Sequence, residues 1–288
     1  MIAINSKLRL RKKARRKIVK ILYPALMLIV ALIYIYPVLL MALNSLKPFK
    51  EVLTSVLALP KVIAPENYSY VIEKMEYFRL FLNNLVITVI GIAGIVLFSA
   101  MAAYILDRRK TRATRLLHTI IITPMLIPFQ TIMITLLKAM NVIGLSGSTW
   151  GLGIQYWGFG VPMATFIYYN FMKTVPTEID ESATIDGAPT FLTFRRIIFP
   201  LLKPVTATVV VLDVMWIWND FLLPLLMVNG SPKTKTLVLA AYNFVGQLNT
   251  KWHYALAAMV TAVLPSVLFF ILLQKYIVEG VVAGSIKG

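Results

Sequence analysis

The residues that could do chemistry are few and clustered. Glu178, Asp180, Glu181 and Asp186 fall within nine residues, and Asp213 and Asp220 stand alone in an apolar run. Grouped carboxylates suit acid–base work, metal binding, or the start of a helix, where negative charge meets the positive helix end. The first two uses need partners that the chain lacks. There is no cysteine, and the two histidines, His118 and His253, lie in different segments with no ligand partners nearby. No metal site is therefore expected, and no residue is given a catalytic role. A lipid-modifying enzyme built on Asp186-Gly187 would need further carboxylates downstream, yet the next acidic residue is Asp213. No G-x4-G-K-[ST] loop is present to cradle phosphates, so the chain cannot supply ATP chemistry.

The local sequence explains the cluster as structure. Thr177 is placed to cap a helix whose first turn holds Glu178, Asp180 and Glu181. Gly187 suits the left-handed position that ends such a helix. Pro189 fits the first turn of a second short helix through Arg195-Arg196-Ile197-Ile198, stopping near Pro200. The expectation is two short helices joined at Asp186-Gly187. Ile179, Ala183, Phe191, Phe194, Ile197 and Ile198 are too apolar for a solvated connector, so membrane helices or another protein must cover them.

The elements around this loop are membrane spans. The 288 residues are 59% hydrophobic and 14% charged, with mean hydropathy +0.78. Both fractions lie outside the ordinary soluble range. A span needs roughly 20 apolar residues. Six stretches qualify: 21–46, 80–106, 116–137, about 150–172, 204–228 and 254–274. Pro24 and Pro37 should bend the first, and Thr123-Pro124 and Ile127-Pro128 should interrupt the third. Residues 22–43 resemble a signal-peptide core but are too long and lack a cleavage site, so a retained helix is expected. Between the first two spans, residues 70–80 suit a short amphipathic helix on the outer surface.

The net charge of +17 raises the question of nucleic acid, and its distribution answers it. Nine Lys/Arg lie in the first 20 residues, five in 105–115, four in 173–203 and two from Gln274 onward. The alternate loops, 44–80 and 229–254, hold five and three. The richer set marks the cytoplasm and puts both termini inside. No basic patch interleaves with aromatics on a soluble domain, so nucleic acid is not an expected partner. Membrane lipid is one, through the basic N-terminal cluster.

The loop also carries a resemblance. Glu181-Ser182-Ala183-x3-Gly187, nine residues, then Ile197-x-Phe199-Pro200 resembles the E-A-A-x3-G-x9-I-x-L-P loop of ABC importer permease subunits. Ser182 replaces an alanine and Phe199 a leucine, each keeping a small or apolar side chain. Asp180-Glu181-Ser182-Ala183-x2-Asp186-Gly187-Ala188, Trp218-Asn219-Asp220-Phe221-x2-Pro224 and Glu66-Asn67-Tyr68 are similar to the carbohydrate branch. The ending Gln274-Lys275-Tyr276-x3-Gly280-x3-Gly284-x2-Lys287-Gly288 resembles the tail of the maltose-type second permease subunit.

The resemblance implies an all-α membrane protein of six transmembrane helices in a bacterial or archaeal plasma membrane. It would import sugars, probable oligosaccharides among them, by ATP-driven, binding-protein-dependent transport. Both termini would be cytoplasmic, with a basic segment 1–20, a transmembrane domain 21–277 and a tail 278–288. Loop 173–203 would hold a coupling helix that docks in a cleft of the ATP-hydrolysing subunit, through Glu178, Glu181, Ser182, Ala183, Asp186, Gly187, Ala188, Arg195 and Pro200. ATP and Mg would be bound by that partner, leaving this chain without a cofactor. A second homologous permease subunit and an extracytoplasmic solute-binding protein complete the implied assembly.

Within the bilayer, Asp213 and Asp220 fall about 14 and 24 Å along the fifth helix from Pro204. A charge at the helix centre costs at least about 2.5 kcal/mol, so each should face protein or a water-filled path. Trp216, Trp218, Asn219 and Asp220 are candidates to line a sugar path, while Asp213 is better explained by a bond between helices. A rival use of Asp213 or Asp220 is as the ion site of a secondary transporter. Tyr156, Trp157, Tyr168 and Tyr169 suit an interfacial belt.

Overall fold

A computed structural model describes residues 2–245 and 250–285, with side chains from about residue 20 to residue 275. Among the described residues every regular element is helical. Helix α1 (Ile2–Ser45) runs through Pro24 and Pro37 as one helix and also takes in the backbone of the basic segment. The basic side chains of that segment lie outside the described residues, as do the side chains of the tail motif from Tyr276 on.

Beyond α1 come α2 (Phe49–Thr54), α3 (Glu66–Lys74) and α4 (Tyr77–Arg108). The helix expected over 70–80 is thus split, because Glu76 takes a left-handed backbone (φ 50°) between α3 and α4. Then follow α5 (Arg112–Ile122), a 3-10 turn at Thr123–Leu126, and α6 (Phe129–Val142). The chain bends by 104° across this turn. Pro124 and Pro128 each remove an amide donor there, which is the interruption that the sequence predicts.

Helix α7 (Thr149–Met172) is capped by Ser148, whose Oγ accepts from Gly151 N at 3.0 Å. It is followed by α8 (Glu178–Ile185), α9 (Thr190–Thr193), a π-helical turn at Phe194–Ile198 and α10 (Phe199–Leu201). Pro200 explains the π turn: it has no N–H for the carbonyl of Arg196, so the ladder widens locally. A 75° bend then leads into α11 (Lys203–Asn219). The last elements are α12 (Leu222–Val228), α13 (Leu237–Tyr242) and α14 (Trp252–Ser285).

By length and composition, Leu22–Ser45, Tyr77–Arg108 and Trp252–Lys275 can each cross a membrane. Counting the bent pairs Arg112–Leu126 with Phe129–Val142 and Thr190–Leu201 with Lys203–Asn219 raises the number to five.

The main core forms where α7 lies along α4, the most extensive helix contact in the structure. A Cβ at Gly94 would overlap the indole of Trp157, whose N–H donates to the Ile90 carbonyl at 2.8 Å. Small residues at such contacts let helix backbones approach closely. Tyr156 and Tyr168 are fully buried on this interface. The expected aromatic belt is therefore not formed by them: they are core residues. A second core gathers Val71, Met75, Leu80, Leu237 and the alanines 257, 258 and 262 around Trp218.

Candidate functional site

Helix α8 begins with all three carboxylates of the cluster in its first turn. Thr177 does flank it, but the side chain makes no capping bond. Its carbonyl accepts instead from Asp180 N and Glu181 N, at 3.0 and 3.2 Å. Gly187 has φ +78°, the left-handed region that side chains with a Cβ rarely adopt, and nothing crowds it. Ala188 N donates to the Ala183 carbonyl at 2.9 Å and closes the turn. A hairpin of short helices results, as the spacing predicts.

The hairpin is pinned by a residue that sequence spacing alone does not single out. Asp180 Oδ1 accepts from Tyr104 Oη at 2.6 Å, and Asp180 Oδ2 accepts from Arg108 Nε at 2.8 Å. Arg108 also donates to Asp107 Oδ2 at 2.6 Å and to the Val175 carbonyl at 3.1 Å. One guanidinium thus ties the end of α4 to both the start of α8 and the strand of chain before it. Charge-assisted bonds of this kind are about twice as strong as neutral ones. Tyr104 also packs on Phe194, with ring centroids 5.4 Å apart.

The apolar residues of the hairpin divide into two sets. Ala183, Phe194 and Ile198 are buried within the chain, and Ile179 is half-buried. Phe191, Ile197 and Ile185 are left open, Ile185 by 85%. Ile185 was not among the apolar positions that the sequence flagged. Glu178, Glu181, Ser182, Asp186, Arg195 and Pro200 are exposed and Ala188 is half-buried. Glu181 and Arg195 form no ion pair among the described residues. The outer face therefore offers two unpaired charges beside three uncovered apolar side chains.

The fifth expected helix, over 204–228, is broken at Asp220, where the backbone turns extended (ψ 140°). Asp220 Oδ1 accepts from Leu222 N at 3.1 Å at the start of α12, and Oδ2 accepts from Tyr156 Oη at 2.8 Å. Asn219 Nδ2 donates to the Met215 carbonyl, and its Oδ1 accepts from Ser266 Oγ at 3.1 Å. Trp216 is 41% exposed and meets Tyr156 edge-on at 5.3 Å. Trp218 differs from these three. It is wholly buried between Phe81 and Phe269, with its indole N–H donating to the Ala262 carbonyl at 3.3 Å. Trp218 is a packing residue, and its place among the path candidates is corrected on that ground. Asp213 Oδ2 is buried with no hydrogen-bond partner among the described residues, so the expected bond between helices is not found.

Residues 95–282 match the family described as "Binding-protein-dependent transport system inner membrane component". That range covers the hairpin, its α4 anchor and the break at Asp220. The chain belongs to that family. A relative named "Probable starch degradation products transport system permease protein AmyC", from Thermoanaerobacterium thermosulfurigenes, is 38% identical over 93% of this chain and 97% of its own length. A second, "Multiple sugar-binding transport system permease protein MsmG" from Streptococcus mutans, is 33% identical over 89% and 93%. Among solved structures, a chain of "a bacterial ABC transporter involved in the import of the acidic polysaccharide alginate" superposes with a TM-score of 0.77. It is 22% identical and covers 90% of this chain and 96% of that one, a likeness in fold. The chain is accordingly a membrane-embedded permease subunit of a transport system and not an enzyme.

Proposed function

We propose that this permease is one of two homologous transmembrane subunits of an ATP-driven importer of sugars, oligosaccharides foremost. The relatives' names carry the cargo class: starch degradation products for one, multiple sugars for another, and melibiose, raffinose and stachyose for a third. Six spans are proposed, with α7 added to the five described above. Its 24 residues reach about 36 Å. It is less apolar than the others because protein, not lipid, covers most of it. Both termini and the hairpin then face the cytoplasm, where the charge bias places them.

The observation that carries the reading is the hairpin over 173–203: a left-handed Gly187 turn, clamped to α4, with Ile185, Phe191 and Ile197 uncovered beside Glu181 and Arg195. Such a knob fits a cleft in a separate ATPase subunit that binds ATP and Mg. Closure of two ATPase subunits would carry α8 with it, and the Asp180–Arg108 clamp would pass that movement to α4. An extracytoplasmic solute-binding protein would deliver sugar to the outer loops, and Trp216, Asn219 and Asp220 would line its path.

Gly187→Val tests the docking role. A β-branched residue at φ +78° should distort the turn while leaving the spans intact. The expected result is normal insertion with loss of ATPase-subunit co-purification and of ATP-driven uptake. Substrate-stimulated ATP hydrolysis that survives in a correctly inserted variant would sink the assignment. Uptake that outlasts ATP depletion but collapses with the ion gradient would instead favour a secondary transporter using Asp213 or Asp220.

A further inference from the structure

A second feature sits where α4 gives way to α5 and has no part in the hairpin. A cavity of about 640 Å³ opens between the α4–α5 turn, the first turns of α5 and the end of α7. Lys110, Arg115 and His118 stand in its wall, and no acidic residue lines it. Asp107 and Asp180, the nearest carboxylates in sequence and through Arg108, are already engaged by Arg108. His118 Nε2 is buried without a hydrogen-bond partner among the described residues, and its ring lies 4.4 Å from that of Tyr169. Lys173 Nζ covers the same Tyr169 ring at 4.4 Å and adds a further cation to the rim. The floor is apolar, formed by Leu106 and the Tyr169 ring.

Depth fixes the kind of ligand. Lys110 lies in the turn between helices, and Arg115 lies one turn into α5. Leu116, Leu117 and Ile120 follow directly and are all exposed by about half or more. An exposed apolar face that begins just past a cationic rim is what the boundary between lipid headgroups and acyl chains requires. A soluble anion would not need an apolar floor at that level.

We propose that this cavity binds the phosphate-bearing headgroup of an anionic phospholipid, with Lys110, Arg115 and Lys173 facing the phosphate and His118 Nε2 positioned to hydrogen-bond it. The cytoplasmic placement rests on the topology proposed above. The chemistry rests on the cavity alone. Basic pockets between spans on the cytoplasmic side are suited to anionic headgroups, because each basic residue adds attraction that falls off within a screening length.

The test uses the whole importer in nanodiscs of phosphatidylcholine with a minority of phosphatidylglycerol, and counts retained lipid by native mass spectrometry. Wild type should hold phosphatidylglycerol through detergent exchange, and Lys110→Gln/Arg115→Gln should hold it roughly tenfold less. Lys12→Gln/Lys13→Gln removes the same charge from the N-terminal segment and should behave as wild type. Equal loss in both variants, or in neither, overturns the proposal, since a diffuse surface field or no site would then account for the result. Displacement of the lipid by millimolar inorganic phosphate assigns the cavity to a soluble phosphate compound and also overturns it. Failure of wild-type complex to import sugar in proteoliposomes would count against the transport reading and leave the lipid count untouched.

Discussion

Two aspartates, Asp180 and Asp220, each accept a hydrogen bond from a tyrosine hydroxyl at a break in the helical path, at 2.6 and 2.8 Å. Their remaining partners differ. Asp180 receives the guanidinium of Arg108 from α4, more than seventy positions away in the chain. Asp220 receives the Leu222 N–H two residues on, and no cation. The first therefore joins two elements that touch little otherwise, as a strut. The second stabilises its own break by capping α12 and is stapled to α7 by one neutral donor. One carboxylate can transmit a displacement between elements, and the other holds a local shape.

Removing the strut should give the largest effect. Asp180→Leu keeps size but deletes both bonds and leaves Arg108 with Asp107 and a carbonyl. Breaking one side of a buried pair costs about 3–5 kcal/mol when fully desolvated. Here 18% of the Asp180 side chain and 11% of that of Arg108 are exposed, so a cost of about 2 kcal/mol is expected. The readout is substrate-stimulated ATP hydrolysis by the assembled importer, which should fall at least tenfold while the ATPase subunits remain bound. Full stimulation in this variant would show that α4 does not carry the signal.

Ile185→Ser should act on the other step, docking itself. At 85% exposure the change should alter permease stability by no more than about 0.5 kcal/mol. ATPase-subunit affinity should drop about tenfold, as for an apolar anchor that fills a partner's cleft. Affinity measured by surface binding on the detergent-solubilised permease separates this variant from Asp180→Leu. Coincident defects would merge the strut and the docking face into one function.

The tyrosines sharpen the contrast. Tyr156→Phe takes from Asp220 its only side-chain donor, whereas Tyr104→Phe leaves Asp180 with Arg108. Losing a hydrogen bond to a buried charged group costs about 1.5–3 kcal/mol. The thermal midpoint of the purified importer should therefore fall by several degrees more for Tyr156→Phe than for Tyr104→Phe. The reverse order would mean that Arg108 contributes little at Asp180.

These differences also mark how far the sequence carries. The first, second and sixth spans, the proline-broken third and the Gly187 turn all follow from local features: runs of about 20 apolar residues, missing amide donors and a position that favours glycine. The Asp180 clamp does not, because its partners come from α4 and no local rule links positions 104, 108 and 180. The break at Asp220 escapes for a related reason. An aspartate inside an apolar run signals a polar need, but whether a neighbouring helix or a new helix start meets it depends on where Tyr156 lies. Ile185 was missed because the expected apolar face was assigned by spacing, and the turn at Gly187 rotates that residue outward.

Trp216 and Trp218 turn the same limit into the smallest effect. Two positions apart on α11, they lie on different sides of the helix, since 200° of rotation separates i from i+2 at 3.6 residues per turn. Trp216 is open and Trp218 is enclosed by two phenylalanine rings. Trp218→Phe should lower stability by about 1–2 kcal/mol through lost contact and an unpaired Ala262 carbonyl, yet leave the sugar concentration for half-maximal uptake unchanged. Trp216→Ala should raise that concentration several-fold with little change in the thermal midpoint, because a ring facing the path contributes stacking to the sugar and little to the core. Uptake titrations on both variants decide between them. A shift for Trp218→Phe alone would mean that the helix rotates during transport and exposes the side that is buried here.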